Sequence, residues 1–197
     1  MSPALYRQVA YWLASWGNKQ GIEAALFIVL TWNLVCRGNN TAKVHFSHMR
    51  GDAFDNIGIF FRHTKSQQRG AAKKFRRAIF SNPYEWFIDF PFLLGLYCST
   101  AFMEDQKTGF ALFPGTPGAT AARMGRALRQ VLKEHEAEVL AMVYDSIRDL
   151  GLHSIRKGAS SYLASLPWGT FPNQYMPSRR VEYGSCERHL LAPYASW

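Results

Sequence analysis

His153-Ser154-Ile155-Arg156-Lys157-Gly158-Ala159 decides how this chain is read. Gly151-Leu152 breaks the pattern before it, and Ile155, Ala159, Tyr162, Leu163 and Leu166 recur at helical spacing. His153 and Arg156 therefore open a helix, one turn apart and on one face. A helix start already carries unpaired N–H groups and roughly half a positive charge. An imidazole and a guanidinium added there make a compact site for a phosphate, so this stretch predicts a protein that handles nucleic-acid backbone.

Bulk composition agrees. A chain of 197 residues suits one domain with a sizeable core. Its 48% apolar and 19% charged residues describe a packed globule rather than a disordered chain. Lys and Arg number 23 against 14 Asp and Glu, a formal charge of +9, which favours an anionic partner. DNA or RNA leads that class, with an acidic membrane surface second. Cys36, Cys98 and Cys186 are far apart, which suits a reducing compartment and argues against a disulfide framework or zinc site. Arg7 and Lys19 sit where the apolar run of a signal peptide would lie, and Ala24–Cys36 is too short to span a membrane. The expectation is an intracellular protein without a membrane partner.

Working outward from the quoted stretch, Ser2 caps a first helix, Pro3 fits its first position and Gly17 ends it. Leu5, Val9, Trp12, Leu13 and Trp16 form its buried stripe. A second helix, from about Ile22 to Cys36, is apolar almost all round and should be central. Arg37-Gly38-Asn39-Asn40 closes it with residues that favour turns. Ala42–Met49 alternates as a first strand, Gly51-Asp52 turns, Ile57–His63 is a second strand and Phe75–Phe80 a third. Asp89 caps a helix to about Ala101, and Gly109–Gly118 is a loop. Met124, Leu128, Val131, Leu132 and His135 mark a long amphipathic helix, extended through Val139 and Met142. From Pro167 the chain becomes an aromatic, proline-punctuated tail. The fold class expected is α+β, a mostly helical single domain over residues 1–166 with a small antiparallel three-stranded sheet. Residues 167–197 are expected to form a poorly ordered tail.

The basic positions have plain alternatives. An arginine such as Arg37, following an apolar helix, commonly satisfies the helix's last carbonyls. Lys65 tops a hairpin-like turn, where lysines serve solubility. Lys73, Lys74, Arg76 and Arg77 read as a DNA-facing strand, a nuclear-import signal or a solvated edge. His45, His48 and His63 have no carboxylate or cysteine at ligand spacing and read as strand-surface residues, so no metal and no cofactor are expected.

Taken in order, four stretches resemble the catalytic domain of the tyrosine recombinases, the phage-integrase-like family, and most of all the recombinases of crypton-type eukaryotic transposons. They are Leu26–Arg37, His63-Thr64-Lys65-Ser66, Asn82-Pro83 and Leu152–Ala159, within a likeness running from Leu5 to Leu166. The resemblance implies that Arg37 matches the first catalytic arginine, Lys65 the hairpin lysine, and His153 with Arg156 the His-x-x-Arg pair. It implies DNA contacts by Lys73, Lys74, Arg76, Arg77 and Lys157, a double-stranded DNA partner, a homo-oligomer on DNA, a nuclear location, and a role in recombination and integration of a mobile element. In that family a tyrosine hydroxyl attacks a DNA phosphodiester, forming a 3′-phosphotyrosyl link and freeing a 5′-hydroxyl. Two arginines hold the phosphoryl oxygens as negative charge builds, a lysine protonates the leaving oxygen, and a histidine assists proton transfer.

The chain also departs from the pattern. Asn40 stands where the family has an acidic residue. The nucleophilic tyrosine should fall near Arg188, where there is none, although Tyr175, Tyr183 and Tyr194 flank it. Members of the family also carry an N-terminal DNA-clamping domain, which the resemblance, starting at Leu5, is not expected to include. Three expectations follow: a degenerate recombinase, a DNA-binding module without cleavage, or a basic helical interaction protein.

Overall fold

In the computed structural model, residues 1–52, 56–60, 76–101, 111–142 and 147–166 are described. The chain divides into two units, Met1–Tyr162 and Leu163–Trp197. Of the second, only residues 163–166, at the end of the last helix, are described.

Helix α1, Pro3–Ser15, starts as its sequence dictates: the Ser2 hydroxyl accepts the Leu5 amide at 3.2 Å, and proline fills the first turn. Gly17 (φ +64°) supplies the left-handed turn out of it. Asn18 then caps α2, Lys19–Leu34, whose Ile22, Ala24–Leu30 and Leu34 are buried. A helix apolar on every side is stable only when surrounded, and α2 is packed by α1 and by five further elements: α3 (Gly38–Thr41), the third strand, the 3-10 turn Trp86–Ile88, α4 (Phe90–Ala101) and α5 (Pro117–Glu134). Phe27 of α2 meets Phe113 edge-on, with ring centroids 5.1 Å apart, and Tyr6 stacks on Trp32 at 4.1 Å. Each such large side chain contributes about 1.5–3 kcal/mol on burial.

Three strands, β1 (Met49–Asp52), β2 (Asn56–Phe60) and β3 (Arg76–Phe80), form an antiparallel sheet in that order. Ile57 faces Ile79 and Ile59 faces Arg77; Ile59 and Ile79 reach the core. The first strand lies later than its sequence pattern predicts. Much of Ala42–Met49 instead forms turns and a 3-10 turn over Phe46–His48, with a single bridge from His45 to Ala111. The alternation there arises because Val44 is buried while its amide closes a turn onto the Thr41 carbonyl at 3.0 Å and its carbonyl accepts the Leu112 amide at 3.0 Å beside the bridge.

The predicted cap on α4 is present. Buried Asp89 accepts the Phe92 amide at 2.7 Å, and also the Ser81 hydroxyl (2.6 Å) and Asn82 amide (2.7 Å). Helix α5 begins at Pro117 behind a Thr116 cap, inside the expected loop. It stops at His135, and α6, Glu136–Met142, is a separate helix. The half-buried Arg123 of α5 pairs at 2.6 Å with the buried Glu23 carboxylate of α2. Helix α7, Leu152–Ser165, is the element foreseen from the His153 stretch. Among the described residues, no helix is long and apolar enough to cross a membrane.

The α1–α2 crossing depends on Gly21. A Cβ there would stand 2.4 Å from the Leu13 carbonyl and 2.7 Å from the Trp16 Cβ. Alanine gains about 1 kcal/mol in helix propensity, but the two backbones cannot part without opening the core. Gly21→Ala is expected to destabilise by roughly 1–3 kcal/mol, read as a lowered urea midpoint; an unchanged midpoint would show that the helices do not approach this closely.

Candidate functional site

Helix α2 ends three residues before Arg37, and the way it ends fixes where Arg37 stands. Val35 is left-handed (φ 49°), the only such non-glycine among the described residues. Its amide turns back to the Trp32 carbonyl at 3.1 Å, and that of Cys36 to Thr31 at 3.4 Å. This is a Schellman closure, in which glycine usually takes the left-handed place. An L-residue there costs roughly 1–2 kcal/mol, so the neighbours must hold it.

They do so through buried polar groups. The Thr31 hydroxyl donates to the Phe27 carbonyl at 2.7 Å, lies 2.9 Å from the Thr41 hydroxyl, and that in turn lies 3.1 Å from Cys36 Sγ. Arg37 leaves this junction in an extended conformation as the residue before α3, with an exposed side chain.

The carbonyl of Leu34, the last residue of α2, accepts a hydrogen bond from the Arg77 guanidinium. The negative end of a helix favours a cation. The plain explanation for an arginine after a helix thus applies to Arg77 and not to Arg37. Among the described residues, the side chains of Arg37, His153 and Arg156 have no hydrogen-bond or ion-pair partner.

Helix α7 brings its own cations to the same junction. Ser154 forms the entry, accepting the Gly151 amide at 3.2 Å and donating to the Asp149 carbonyl at 3.0 Å. Ile155 and Ala159 are buried, leaving His153 exposed and Arg156 half-buried on one face. A Cβ on Gly38 would lie 3.7 Å from the Cβ of Leu152 and 3.0 Å from its Cδ1. Arg37 and His153 are the chain neighbours of those two touching residues. Behind them, burial pushes the Cys36 thiol above its ordinary value of 9.0, opposed by the Thr41 contact and by the charges of Arg77 and Arg156. Arg77 and Arg156 therefore both stand within electrostatic reach of the residue preceding Arg37.

Of the expected site, Arg37 stands at the α2–α3 junction, His153 and Arg156 lie near the start of α7, whose Leu152 touches Gly38, and Arg77 reaches the end of α2 from β3. Lys157 is exposed on α7. Lys65, Lys73 and Lys74 lie outside the described residues, as does the side chain of Arg76, whose backbone pairs with Phe60. The place of Arg77 had a signal in its two-residue spacing from Ile79, which puts both on one face of the strand. The Thr31–Thr41–Cys36 chain had none. His45 and His48 serve the 3-10 turn, where the His45 amide donates to His48 Nδ1 at 3.2 Å. Among the described residues, no three His, Cys, Asp or Glu side chains are grouped to hold a metal ion.

The helices around a small antiparallel sheet, with α2 ending at Leu34 shortly before Arg37 and α7 opening at Leu152 just before His153, define a tyrosine-recombinase catalytic-domain-like fold. Among solved structures, the chain is similar to the XerH site-specific recombinase bound to its difH substrate in a pre-cleavage complex, with a TM-score of 0.57 and 11% identity. The match covers 83% of this chain and 42% of that one, so the chain spans less than half the length of that recombinase. No protein-family model and no curated protein matches the sequence.

The Cys36 shift has a consequence for stability. Its pKa is raised on folding, so the native state holds the proton more tightly than the unfolded chain. The contribution is full below the unfolded value and is lost as pH rises through the folded one. Cys98 shifts the same way through burial. Stability is expected to fall above pH 9.0, and Cys36→Ser should make that fall shallower in urea titrations across the alkaline range. An equally steep fall in the variant would contradict a protonated, buried Cys36.

Proposed function

We propose that the chain binds the backbone of double-stranded DNA through the cations of Arg37, His153 and Arg156, as a degenerate tyrosine recombinase derived from a mobile element of crypton type. The observation that carries this reading is the contact of Gly38 with Leu152, chain neighbours of Arg37 and His153, beside three basic side chains that have no ionic partner among the described residues. Cations assembled this way repel one another, and a phosphate relieves that repulsion while accepting several charge-assisted hydrogen bonds. Two guanidinium groups at one phosphate offer bidentate geometry that lysines cannot. The fold shared with a recombinase solved on its DNA substrate supports the choice of DNA, and the formal charge of +9 supplies long-range attraction.

In this reading the two arginines hold the non-bridging oxygens of one phosphodiester and His153 stands beside them for proton transfer. The proposal covers holding the phosphodiester; no tyrosine of the chain is assigned to attack it. Action in the nucleus and assembly of copies along DNA belong to the same proposal.

Fluorescence anisotropy with a 30-base-pair duplex of arbitrary sequence tests it. Affinity should fall steeply with salt, by a factor of about 0.9 in logarithmic slope per phosphate contact. Arg37→Ala and Arg156→Ala should each weaken binding by roughly tenfold or more, as expected for a lost charged hydrogen bond, and lower the slope by about one. Binding that ignores these substitutions would overturn the proposed site. Absence of binding even at low salt would favour a protein partner instead.

A further inference from the structure

We infer that Arg77 is a positioning residue, which holds the end of α2 closed and so sets the stance of Arg37, rather than a residue that touches DNA. This rests on the DNA-binding reading above and adds a residue with a different role to it.

The register of the sheet comes first. Arg77 is the direct partner of Ile59, and Ile79, two residues on, is the partner of Ile57. Directly opposed residues share a face, as do residues two apart on a strand. Arg77 therefore leaves β3 on the same face as Ile59 and Ile79, which are 0% and 2% exposed. Exposed Ala78 and Phe80 mark the opposite face. Arg77 is itself exposed to solvent, yet it leaves the strand on the face that packs toward α2, within reach of that helix's last carbonyls.

Its guanidinium then donates to the Leu34 carbonyl, one of the last acceptors of α2. The carbonyls of Thr31 and Trp32 are taken by the returning amides of Cys36 and Val35. Leu34 is followed at once by left-handed Val35, then Cys36, then Arg37. A β-branched residue in that conformation stays there only while its surroundings enforce it. The Thr31–Thr41–Cys36 chain enforces it from one side and Arg77 from the other. The Cys36 thiol lies within the electrostatic reach of Arg77, in keeping with a guanidinium at this junction. The hydrogen bond thus links the sheet to the exact backbone segment from which Arg37 projects.

A double-mutant cycle on duplex affinity separates positioning from contact. If Arg77 acts through Arg37, Arg77→Ala weakens binding about as much as Arg37→Ala, and the double variant is within twofold of Arg37→Ala alone. Arg77→Lys, which keeps a donor for the carbonyl, should recover part of the affinity. Multiplicative losses in the cycle would make Arg77 an independent DNA contact and overturn the inference. Hydrogen exchange on the free protein provides a readout that does not depend on DNA. Arg77→Ala should accelerate exchange of the Cys36, Asn40 and Thr41 amides about tenfold or more, while amides in the middle of α2 and α5 keep their protection, showing that the variant is folded. Unchanged exchange at the junction would also overturn it. If the unmodified chain fails to bind DNA, the functional reading falls and the exchange result alone decides whether Arg77 holds the junction.

Discussion

The contact of Gly38 with Leu152 is the constraint on which this structure turns. Two segments more than a hundred residues apart in sequence meet there with the backbone of one against the side chain of the other, 3.0 Å from where a Cβ would stand. A Cβ there would press on the end of the Leu152 side chain, and the same position lies 3.7 Å from the ring of Phe27, in the middle of α2. The meeting thus ties the core helix, the short α3 and the start of α7 into one corner. Arg37 and His153 project from it because each is bonded to one of the two residues in contact.

Such a corner is electrostatically expensive. Arg37 and His153 flank the contact, Arg156 follows in α7, Arg77 reaches the end of α2, and helix α7 presents its positive end. One of these charges is settled internally, since Arg77 faces the negative end of α2. Arg37 and Arg156 are left without ionic partners among the described residues. Two other arginines are paired with carboxylates, Arg123 with Glu23 and Arg7 with Glu85. The strained Val35 and the buried Thr31–Thr41–Cys36 chain are understandable as the means of holding such an arrangement in place.

Much of this was legible along the chain, for local reasons. The start of α7 is written in the Gly151-Leu152 break and the spacing from Ile155 to Ala159. Ser2-Pro3 and Asp89 announce their helices through capping chemistry that acts within three residues. What could not be read depends on contacts between distant segments. Val35 is among the least expected residues for a left-handed position, and only the tertiary environment puts it there. Arg37-Gly38-Asn39-Asn40 has the composition of a turn, yet Gly38–Thr41 is a helical turn because Gly38 must pack on Leu152. The alternation in Ala42–Met49 imitates a strand, because burial of Val44 in a turn leaves the same pattern as burial in a sheet. Thr116-Pro117 carried a capping signal that the surrounding glycines and prolines concealed.

The distance between Gly38 and Leu152 is the most direct measure of the whole account. Their Cβ positions, 3.7 Å apart, fall inside the range of about 3.5–4.5 Å that a disulfide requires. In a background with Cys36, Cys98 and Cys186 replaced by serine, the pair Gly38→Cys and Leu152→Cys should form an intramolecular disulfide on mild oxidation of the folded protein, identified by mass spectrometry of the linked peptides. Two thiols that stay reduced in a protein shown by circular dichroism to be folded would mean that the α2–α3 junction and the start of α7 do not meet, and that Arg37 and Arg156 do not share a phosphate.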